Sequence, residues 1–273
     1  MKFRNFLFLC ASLACAGAAP ASTLIVPVYG NTSAQYRGAL AAAKQQNIIA
    51  VINPDEGVGG RRIGKLASFS SKINASGSLS AGYINTNYGR RSLDAVRGDI
   101  NKYISNYRAK AIFLDEFSDS PGAISMYKSI YDYAKGKGLK VIGNPGTFVP
   151  SGYANTADIL ITYEGGFNEG FSKFKQKSWT KRFPKKKFGV IVNGTRNFQE
   201  VINKANSQNV EFVYATDASE PSPYGRLSSN FSEQVAATRG RGISVSSIPE
   251  PTSGALVIGS LLAACSRRTR RPN

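Results

Sequence analysis

Residues 112–119, IFLDEFSD, run from a short apolar stretch directly into acidic residues. The first three residues have the composition of a buried strand, whereas Asp115, Glu116 and Asp119 carry carboxylates. A carboxylate is costly to bury unless it is paired or hydrogen-bonded. These acids must therefore either pair with nearby cations or take part in chemistry.

Seven more apolar runs of strand length surround this one, and each ends in polar or aromatic residues. They begin about 20–30 residues apart, which is the spacing of βα units. Their apolar character is continuous rather than alternating, as in a parallel sheet covered by helices. Eight units predict a single (β/α)8 barrel of the TIM type. An open doubly wound sheet is the alternative, but no G-x-G-x-x-G follows the first strand. The eight runs are residues 23–30, 48–57, 78–89, 111–116, 139–147, 159–166, 186–195 and 210–217.

Helical patterns separate most of these runs. A helix capped by Ser92 is predicted over residues 93–107, where apolar residues recur every three or four positions. Similar apolar stripes cover residues 124–134 and 198–205. The connection from Tyr153 to the sixth strand is too short for a proper helix, so one βα unit is expected to be degenerate.

Residues 1–21 have the layout of a secretory signal peptide. Lys2 and Arg4 precede a short apolar run, and Ala19-Pro20-Ala21 fits the cleavage rule. An uncleaved membrane anchor is the alternative, and a lipid-modified Cys15 is a weaker one. We therefore predict a secreted or surface protein.

Residues 246–273 form a second targeting segment. Pro249-Glu250-Pro251 is followed by an apolar run over residues 254–265 and then by four arginines. This run is shorter than the ~20 residues that span a bilayer comfortably. The layout resembles the PEP-CTERM sorting signal of Gram-negative, exopolysaccharide-making bacteria. That resemblance implies cleavage by a sorting protease of the exosortase type; an ordinary hydrophobic tail is the alternative.

The domain between these segments, residues 22–245, contains no cysteine, and the whole chain contains no histidine. Disulfides, thiolate metal sites, cysteine nucleophiles and histidine-based triads are therefore excluded from it. We expect no cofactor and no metal, although a calcium site built from oxygen ligands alone stays open. Acid–base catalysis would have to rest on carboxylates, lysine or tyrosine.

The chain is strongly basic, with a formal charge of +18. Removing Lys2, Arg4 and the tail, which holds four arginines and Glu250, leaves +13. The densest cationic run, KSWTKRFPKKKF at residues 177–188, matches no nucleic-acid recognition motif. A solvated surface is the favoured interpretation and contact with an acidic polymer is the alternative. No nucleic-acid partner is expected.

Polar residues stand where the predicted strands end, and in a (β/α)8 barrel those ends form the catalytic face. Side chains alternate along a strand, so Thr162 and Glu164 share a face. Carboxylates from two strands suit glycosidic cleavage, in which one protonates the leaving oxygen and the other attacks or activates water. Alternatively, the acids anchor lysine or arginine at the rim. The strand-end residues are Tyr29, Asn53, Tyr83, Asn85, Asp115, Glu116, Asn144, Glu164, Asn193 and Asp217.

Five motifs, VINPDEGVG (51–59), GYINTNYG (82–89), IFLDE (112–116), NPGT (144–147) and TYEGG (162–166), occur in this order. Together they resemble the spherulation-specific (spherulin 4) family over about residues 25–214. That family is similar to (β/α)8 glycoside hydrolases, among them fungal enzymes that cut galactosamine-containing exopolysaccharide. The resemblance implies an acidic cleft of Asp115, Glu116 and Glu164, lined by Asn53, Tyr83, Asn144 and Tyr163.

The sequence therefore predicts a secreted, monomeric glycoside hydrolase that cuts exopolysaccharide with paired carboxylates. We expect Asp115 and Glu164 to lie within ~10 Å, with Glu164 as the proton donor and Asp115 as the nucleophile or charge stabiliser, and the two roles could be reversed. A neutral, acetylated or acidic polysaccharide suits the basic surface better than a cationic one. A non-catalytic polysaccharide-binding or biofilm matrix protein on the same barrel is the alternative, and a nucleic-acid binder rests on charge alone.

Overall fold

The computed structural model describes residues 22–238. The predicted signal peptide and sorting tail, residues 1–21 and 246–273, lie outside the described residues. Within residues 22–238, no helix is both long and apolar enough to cross a membrane.

Eight parallel strands close into a barrel in sequence order, and β8 completes the ring by pairing with β1. The (β/α)8 prediction is confirmed, and the open sheet is excluded by that closing pair. The strands are β1 Thr23–Val28, β2 Ile49–Ile52, β3 Leu79–Asn85, β4 Ala111–Asp115, β5 Lys140–Gly143, β6 Ile159–Gly166, β7 Phe188–Asn193 and β8 Phe212–Ala215. The helices are α1 Ser33–Ala43, α2 Gly64–Ala75, α3 Leu93–Tyr107, α4 Ile124–Gly136, α5 Phe198–Ser207 and α6 Phe231–Thr238.

The strands are apolar throughout because both of their faces are covered. Every residue of β1, β2, β7 and β8 is buried. One face packs inside the barrel and the other against the helices, so neither face selects for polar residues. Gly82 of β3 shows how closely the layers approach: a Cβ there would lie 2.3 Å from the ring of Tyr103 on α3.

Helix α3 begins and ends where the sequence predicts. The Ser92 side chain accepts a hydrogen bond from the Ala95 backbone N–H at 3.2 Å, which satisfies one of the free donors of the first turn. Arg108 ends the helix in a left-handed conformation with φ 52°.

Two of the eight connections lack an α-helix, whereas the sequence predicted one such unit. The first joins β5 to β6 through a 3-10 turn at Ser151–Asn155, as expected from its short length. The second joins β6 to β7 through three 3-10 turns, Phe171–Lys173, Ser178–Arg182 and Lys185–Lys187. Phe167, Phe171 and Phe174 in this connection recur at helical spacing, yet the chain forms 3-10 turns there.

Three neighbouring strands bring the key polar residues to one end of the barrel, called the mouth from here on. Asp115 is the last residue of β4, and Asn144 follows β5 directly, its N–H donating to the Leu114 carbonyl at 2.8 Å. Glu164 lies on β6, and its N–H donates to the Gly146 carbonyl at 3.0 Å. The three side chains therefore come from adjacent strands.

Candidate active site

Asp115 and Glu164 are joined by a single amide nitrogen. The Asn144 Nδ2 donates to Asp115 Oδ1 at 2.7 Å and also to Glu164 Oε2. Because both carboxylates lie within one hydrogen-bond length of the same atom, these two oxygens are no more than about 6 Å apart. The expected proximity of the two acids is thus present.

The orientation of this amide is fixed by its other end. The Asn144 Oδ1 accepts a hydrogen bond from the Gly146 backbone N–H at 3.2 Å, so the nitrogen must face the acids. Gly146 has φ 62°, a left-handed conformation that favours glycine. A Cβ at Gly146 would also lie 3.4 Å from the Glu164 Cβ. The NPGT motif therefore provides both the amide and the turn that aims it.

Glu164 has the strongly raised pKa expected of a proton donor. Burial is the main cause and the nearby charge of Asp115 the second, and together they raise its pKa to about 7. Hydrogen bonds from Tyr224 and Asn144 act in the opposite direction, because they stabilise the ionised carboxylate. Near neutral pH, Glu164 therefore exchanges a proton readily.

Asp115 is shifted in the same direction. Burial is the main cause of its raised pKa, while hydrogen bonds from the Tyr83 hydroxyl, the Glu116 backbone and the Asn144 amide lower it. The charge of Asp115 is the second cause of the raised pKa of Glu164, so the two carboxyls titrate as an interacting pair.

Three tyrosines surround the pair. The Tyr29 ring meets Tyr83 at 5.4 Å and Tyr224 at 5.6 Å, both edge to face. Burial raises the pKa of all three hydroxyls, and the charges of Asp115 and Glu164 raise it further. The hydroxyls therefore stay protonated and serve as hydrogen-bond donors at the mouth.

Glu116 stands beside the pair on strained backbone. Its φ of 45° is left-handed, which is uncommon outside glycine. Its carbonyl oxygen accepts hydrogen bonds from the Tyr88 N–H and the Thr86 hydroxyl, both at 2.7 Å. The Glu116 charge contributes to the raised pKa of Tyr83, so the residue belongs to the mouth. No ion-pair partner of its carboxylate occurs within residues 22–238.

Three predicted amides lie at the strand ends without bonding to the acids. Asn53 Oδ1 accepts from the Gly57 N–H at 2.7 Å, and Asn85 Oδ1 accepts from the Asn87 N–H at 2.6 Å. These two side chains shape their own loops. Asn193 ends β7 and is buried.

The structure differs from the prediction for Tyr163. Its ring packs against Phe171 and Phe174 at 5.3 and 5.6 Å, and its hydroxyl donates to the Gly166 carbonyl at 2.7 Å. Neighbouring side chains on a strand point to opposite faces, so Tyr163 turns outward where Glu164 turns to the mouth. Tyr163 therefore supports the β6–β7 connection and does not line the acidic cleft.

Asp217 fits the alternative in which a strand-end acid anchors a basic residue at the rim of the barrel. Its carboxylate pairs with Arg226 at 2.8 Å and Arg196 at 3.7 Å, and accepts from the Ser229 N–H at 3.0 Å. The hydrogen bond from Arg226 is the main cause that lowers its pKa well below the usual range. Asp217 therefore stabilises the loop after β8.

Tyr224 is the site residue that sequence reasoning missed. It lies in that same loop, between β8 and α6, and its hydroxyl donates to Glu164 Oε1. The loop has neither strand nor helix periodicity. The only available signal was an aromatic residue in a long connection on the catalytic side.

Solved structures with the same fold include carbohydrate-related proteins. Aspergillus clavatus Sph3, solved in complex with GalNAc, aligns with a TM-score of 0.69 at 21% identity, over 80% of this chain and 98% of that one. A chitinase from Chromobacterium violaceum aligns with a TM-score of 0.50 at 12% identity, over 80% of this chain and all of that one. At these identities the likeness shows the fold.

Sequence comparison is more specific. Spherulin-4 of Physarum polycephalum is 34% identical over 232 residues, which cover 78% of this chain and 69% of that protein. The family model described as spherulation-specific family 4 matches residues 23–238, from the first strand to the last described helix. The chain therefore belongs to spherulation-specific family 4.

Proposed function

We propose that the protein is a secreted glycoside hydrolase that cuts an exopolysaccharide. The observation that carries the proposal is the Asn144 nitrogen, which holds carboxylates from two strands within about 6 Å of each other at the catalytic end of the barrel. A purely structural role would be served better by a lysine or arginine between the acids, as Arg226 serves Asp217.

Each acid takes the role that its surroundings favour. Glu164, whose pKa is raised to about 7, protonates the leaving glycosidic oxygen. Asp115, held by hydrogen bonds from Tyr83 and Asn144, attacks the anomeric carbon as a carboxylate and forms a glycosyl–enzyme bond. Glu164 then takes a proton from the water that cleaves this bond. Glu116 is left to bind sugar hydroxyls at the edge of the cleft.

The separation of the acids favours retention of the anomeric configuration. Retaining enzymes hold their carboxyls ≈5–5.5 Å apart, whereas inverting enzymes need ≈6.5–9.5 Å to admit a water. A shared hydrogen-bond donor leaves no such space between the facing oxygens of Asp115 and Glu164.

The proposed substrate is an amino-sugar or acetylated polymer that is not a polycation. Sph3 was solved with GalNAc bound, and the Chromobacterium violaceum chitinase has the same fold, which supports an amino-sugar or acetylated polymer. The net positive charge disfavours a polycation. Extracellular action follows from the predicted signal peptide and from the polymer itself.

The test is release of reducing ends from a panel of acetylated, neutral and acidic bacterial polysaccharides. We expect activity to fall on the alkaline side with an apparent pKa of about 7, because Glu164 must be protonated to donate. The first product formed should keep the anomeric configuration of the substrate, as measured by NMR.

Absence of hydrolysis on every polymer of the panel, with binding to at least one, would instead establish a non-catalytic polysaccharide-binding protein. Hydrolysis with an inverted first product would keep the activity but contradict the role of Asp115 as nucleophile.

A further inference from the structure

Positive charge is concentrated at the end of the barrel opposite the mouth. Within residues 22–238, eight cations lie just before or at the start of β4, β5 and β7, and two acids, Asp158 and Glu211, lie before β6 and β8. We call this surface the basic end; its cations are Arg108, Lys110, Lys135, Lys137, Lys140, Lys185, Lys186 and Lys187.

A cavity of about 470 Å³ opens on this surface. Three cations, Arg108, Lys110 and Lys137, line it together with the amide of Asn74 and the hydroxyl residue Ser71. Its volume falls in the range of about 300–1,000 Å³ that is typical of small-ligand pockets. The Asn74 amide is already bonded to the Arg108 carbonyl and to Ser80, so the cations and the Ser71 hydroxyl are the groups that a ligand would meet. Cationic and hydroxyl groups together suit a ligand that carries both negative charge and hydroxyls.

The two acids do not neutralise the basic end. Asp158 pairs with Lys135 at 3.2 Å, and it also accepts from the Val141 N–H at 2.7 Å, so much of its capacity is used within the fold. Burial lowers the pKa of both Lys140 and Lys187, so these lysines are held where their charge is costly.

Stabilisation of helix ends explains only part of this cluster. Arg108 and Lys137 follow the C-termini of α3 and α4, where a cation is favoured by the helix dipole. Lys110 leads directly into β4, where no such benefit exists. Lys110, which lines the cavity, is therefore placed to meet an external anion.

We propose that the basic end binds an acidic polysaccharide, with one carboxylate-bearing sugar seated in the cavity and neighbouring acidic sugars on the surrounding lysines. A nucleic-acid strand fits less well, because it is held by stacking on aromatic side chains as well as by charge. Within the described residues, the one exposed large hydrophobic side chain is Tyr88, which lies at the mouth, after β3.

Binding at the basic end would not block the acidic cleft. A polymer held at the basic end leaves the mouth open, so the protein can stay attached to an acidic matrix while its acidic cleft meets another chain. Binding at the basic end is independent of catalysis, because the two use opposite ends of the barrel.

The experiment measures binding of the purified protein to immobilised polygalacturonate between 0.05 and 0.5 M NaCl. The test variant carries Lys110→Glu, Lys137→Glu and Lys186→Glu, which are exposed positions of the basic end. The control carries Arg37→Glu, Arg61→Glu and Lys65→Glu, which are exposed elsewhere and change the net charge equally. We expect the test variant to bind at least about tenfold more weakly at 0.1 M salt, with the control within about threefold of the parent protein.

Equal loss in both variants would show attraction by net charge alone and overturn the proposal, and so would absence of binding by the parent protein. Tighter binding to double-stranded DNA than to polygalacturonate, lost in the same variant, would assign the surface to nucleic acid and overturn the polysaccharide. Thermal unfolding of each variant verifies its fold. A second variant, Lys110→Gln with Lys137→Gln, repeats the measurement with smaller changes and should weaken binding in the same direction.

Discussion

The two ends of this barrel carry opposite charges and use them differently. At the mouth, Asp115 and Glu164 share one amide donor; burial raises the pKa of both, and the charge of Asp115 raises that of Glu164 further. At the basic end, cations such as Lys110 and Lys186 are exposed and have no shared, buried partner of this kind. The mouth therefore depends on single residues in fixed positions, whereas the basic end depends on the sum of many charges.

This difference predicts how each end responds to change. A neutralised carboxylate at the mouth removes a proton donor or a nucleophile outright. Neutralising one cation at the basic end removes only one of several contributions to anion binding, and each contribution is small because it is exposed to solvent.

The largest effect is expected from neutralising the paired acids. Asp115→Asn and Glu164→Gln should each lower turnover at least ~10²-fold, the lower end of general acid–base contributions. Both variants should fold, because each replacement keeps the shape of the side chain. Steady-state hydrolysis of the best polymer from the panel measures the effect.

Two matched controls separate chemistry from charge. Asp119→Asn removes an exposed carboxylate four residues beyond Asp115, and Lys186→Gln removes an exposed cation at the basic end. Turnover on an uncharged polymer should stay within about twofold in both, as for surface substitutions generally. Hydrolysis near the parent level in Asp115→Asn or Glu164→Gln would remove that residue from the mechanism.

The next effect concerns stability. The pKa of Glu164 is raised to about 7 in the folded protein from a value near 4.5, so the folded state holds this proton more tightly than the unfolded state. Its contribution to stability is therefore fully present below the unfolded pKa and falls as the pH rises towards 7. The free energy of unfolding of Glu164→Gln should accordingly be about 2–3 kcal/mol higher than that of the parent protein at pH 8, so the variant is the more stable of the two. At pH 4 the two free energies should differ little.

Urea unfolding at several pH values measures this difference. A Glu164→Gln variant that is less stable than the parent at pH 8 would show that the site is not strained by the ionised pair. The same experiment on Asp119→Asn, which replaces an exposed carboxylate, is the control.

Asn144 tests whether the shared donor tunes the pair. Its hydrogen bonds lower the pKa of both Asp115 and Glu164, so Asn144→Ala should move the alkaline limb of the pH–rate profile above pH 7. Loss of two hydrogen bonds to charged groups should also lower turnover about tenfold. Asn193→Ala, at a neighbouring strand end, should leave the position of that limb unchanged whatever it does to the rate.

The sequence predicted the parts of this molecule that follow from periodicity. Continuous apolar runs fixed the eight strands, and polar residues at their ends located Asp115, Asn144 and Glu164 because parallel strands all end at one face. The prediction from sequence was wrong in an irregular connection between strands. Nothing in the 167–187 segment revealed that a helix is missing from the β6–β7 connection, since burial of Phe171 and Phe174 there is a tertiary effect.

Tyr163 and Tyr224 show the limit most clearly. Alternation along β6 places Tyr163 opposite Glu164, but its motif suggested a cleft residue. Tyr224 occupies that role from a loop sixty residues away, and no local pattern links the two positions. A side chain delivered by a loop can be assigned only once the loop's path is known.

These two tyrosines give the smallest and most selective prediction. The Tyr224 hydroxyl donates to Glu164 and lowers its pKa, so Tyr224→Phe should shift the alkaline limb to higher pH and reduce turnover several-fold. Tyr163→Phe removes a hydrogen bond to the Gly166 carbonyl and should cost about 1 kcal/mol of stability while leaving the limb in place. Both variants remove one tyrosine hydroxyl, but Tyr163 lies on β6 and faces away from the mouth, whereas Tyr224 reaches Glu164 from the loop after β8. A shifted limb in Tyr163→Phe, with an unshifted one in Tyr224→Phe, would reverse the assignment and place the aromatic cover of Glu164 on its own strand.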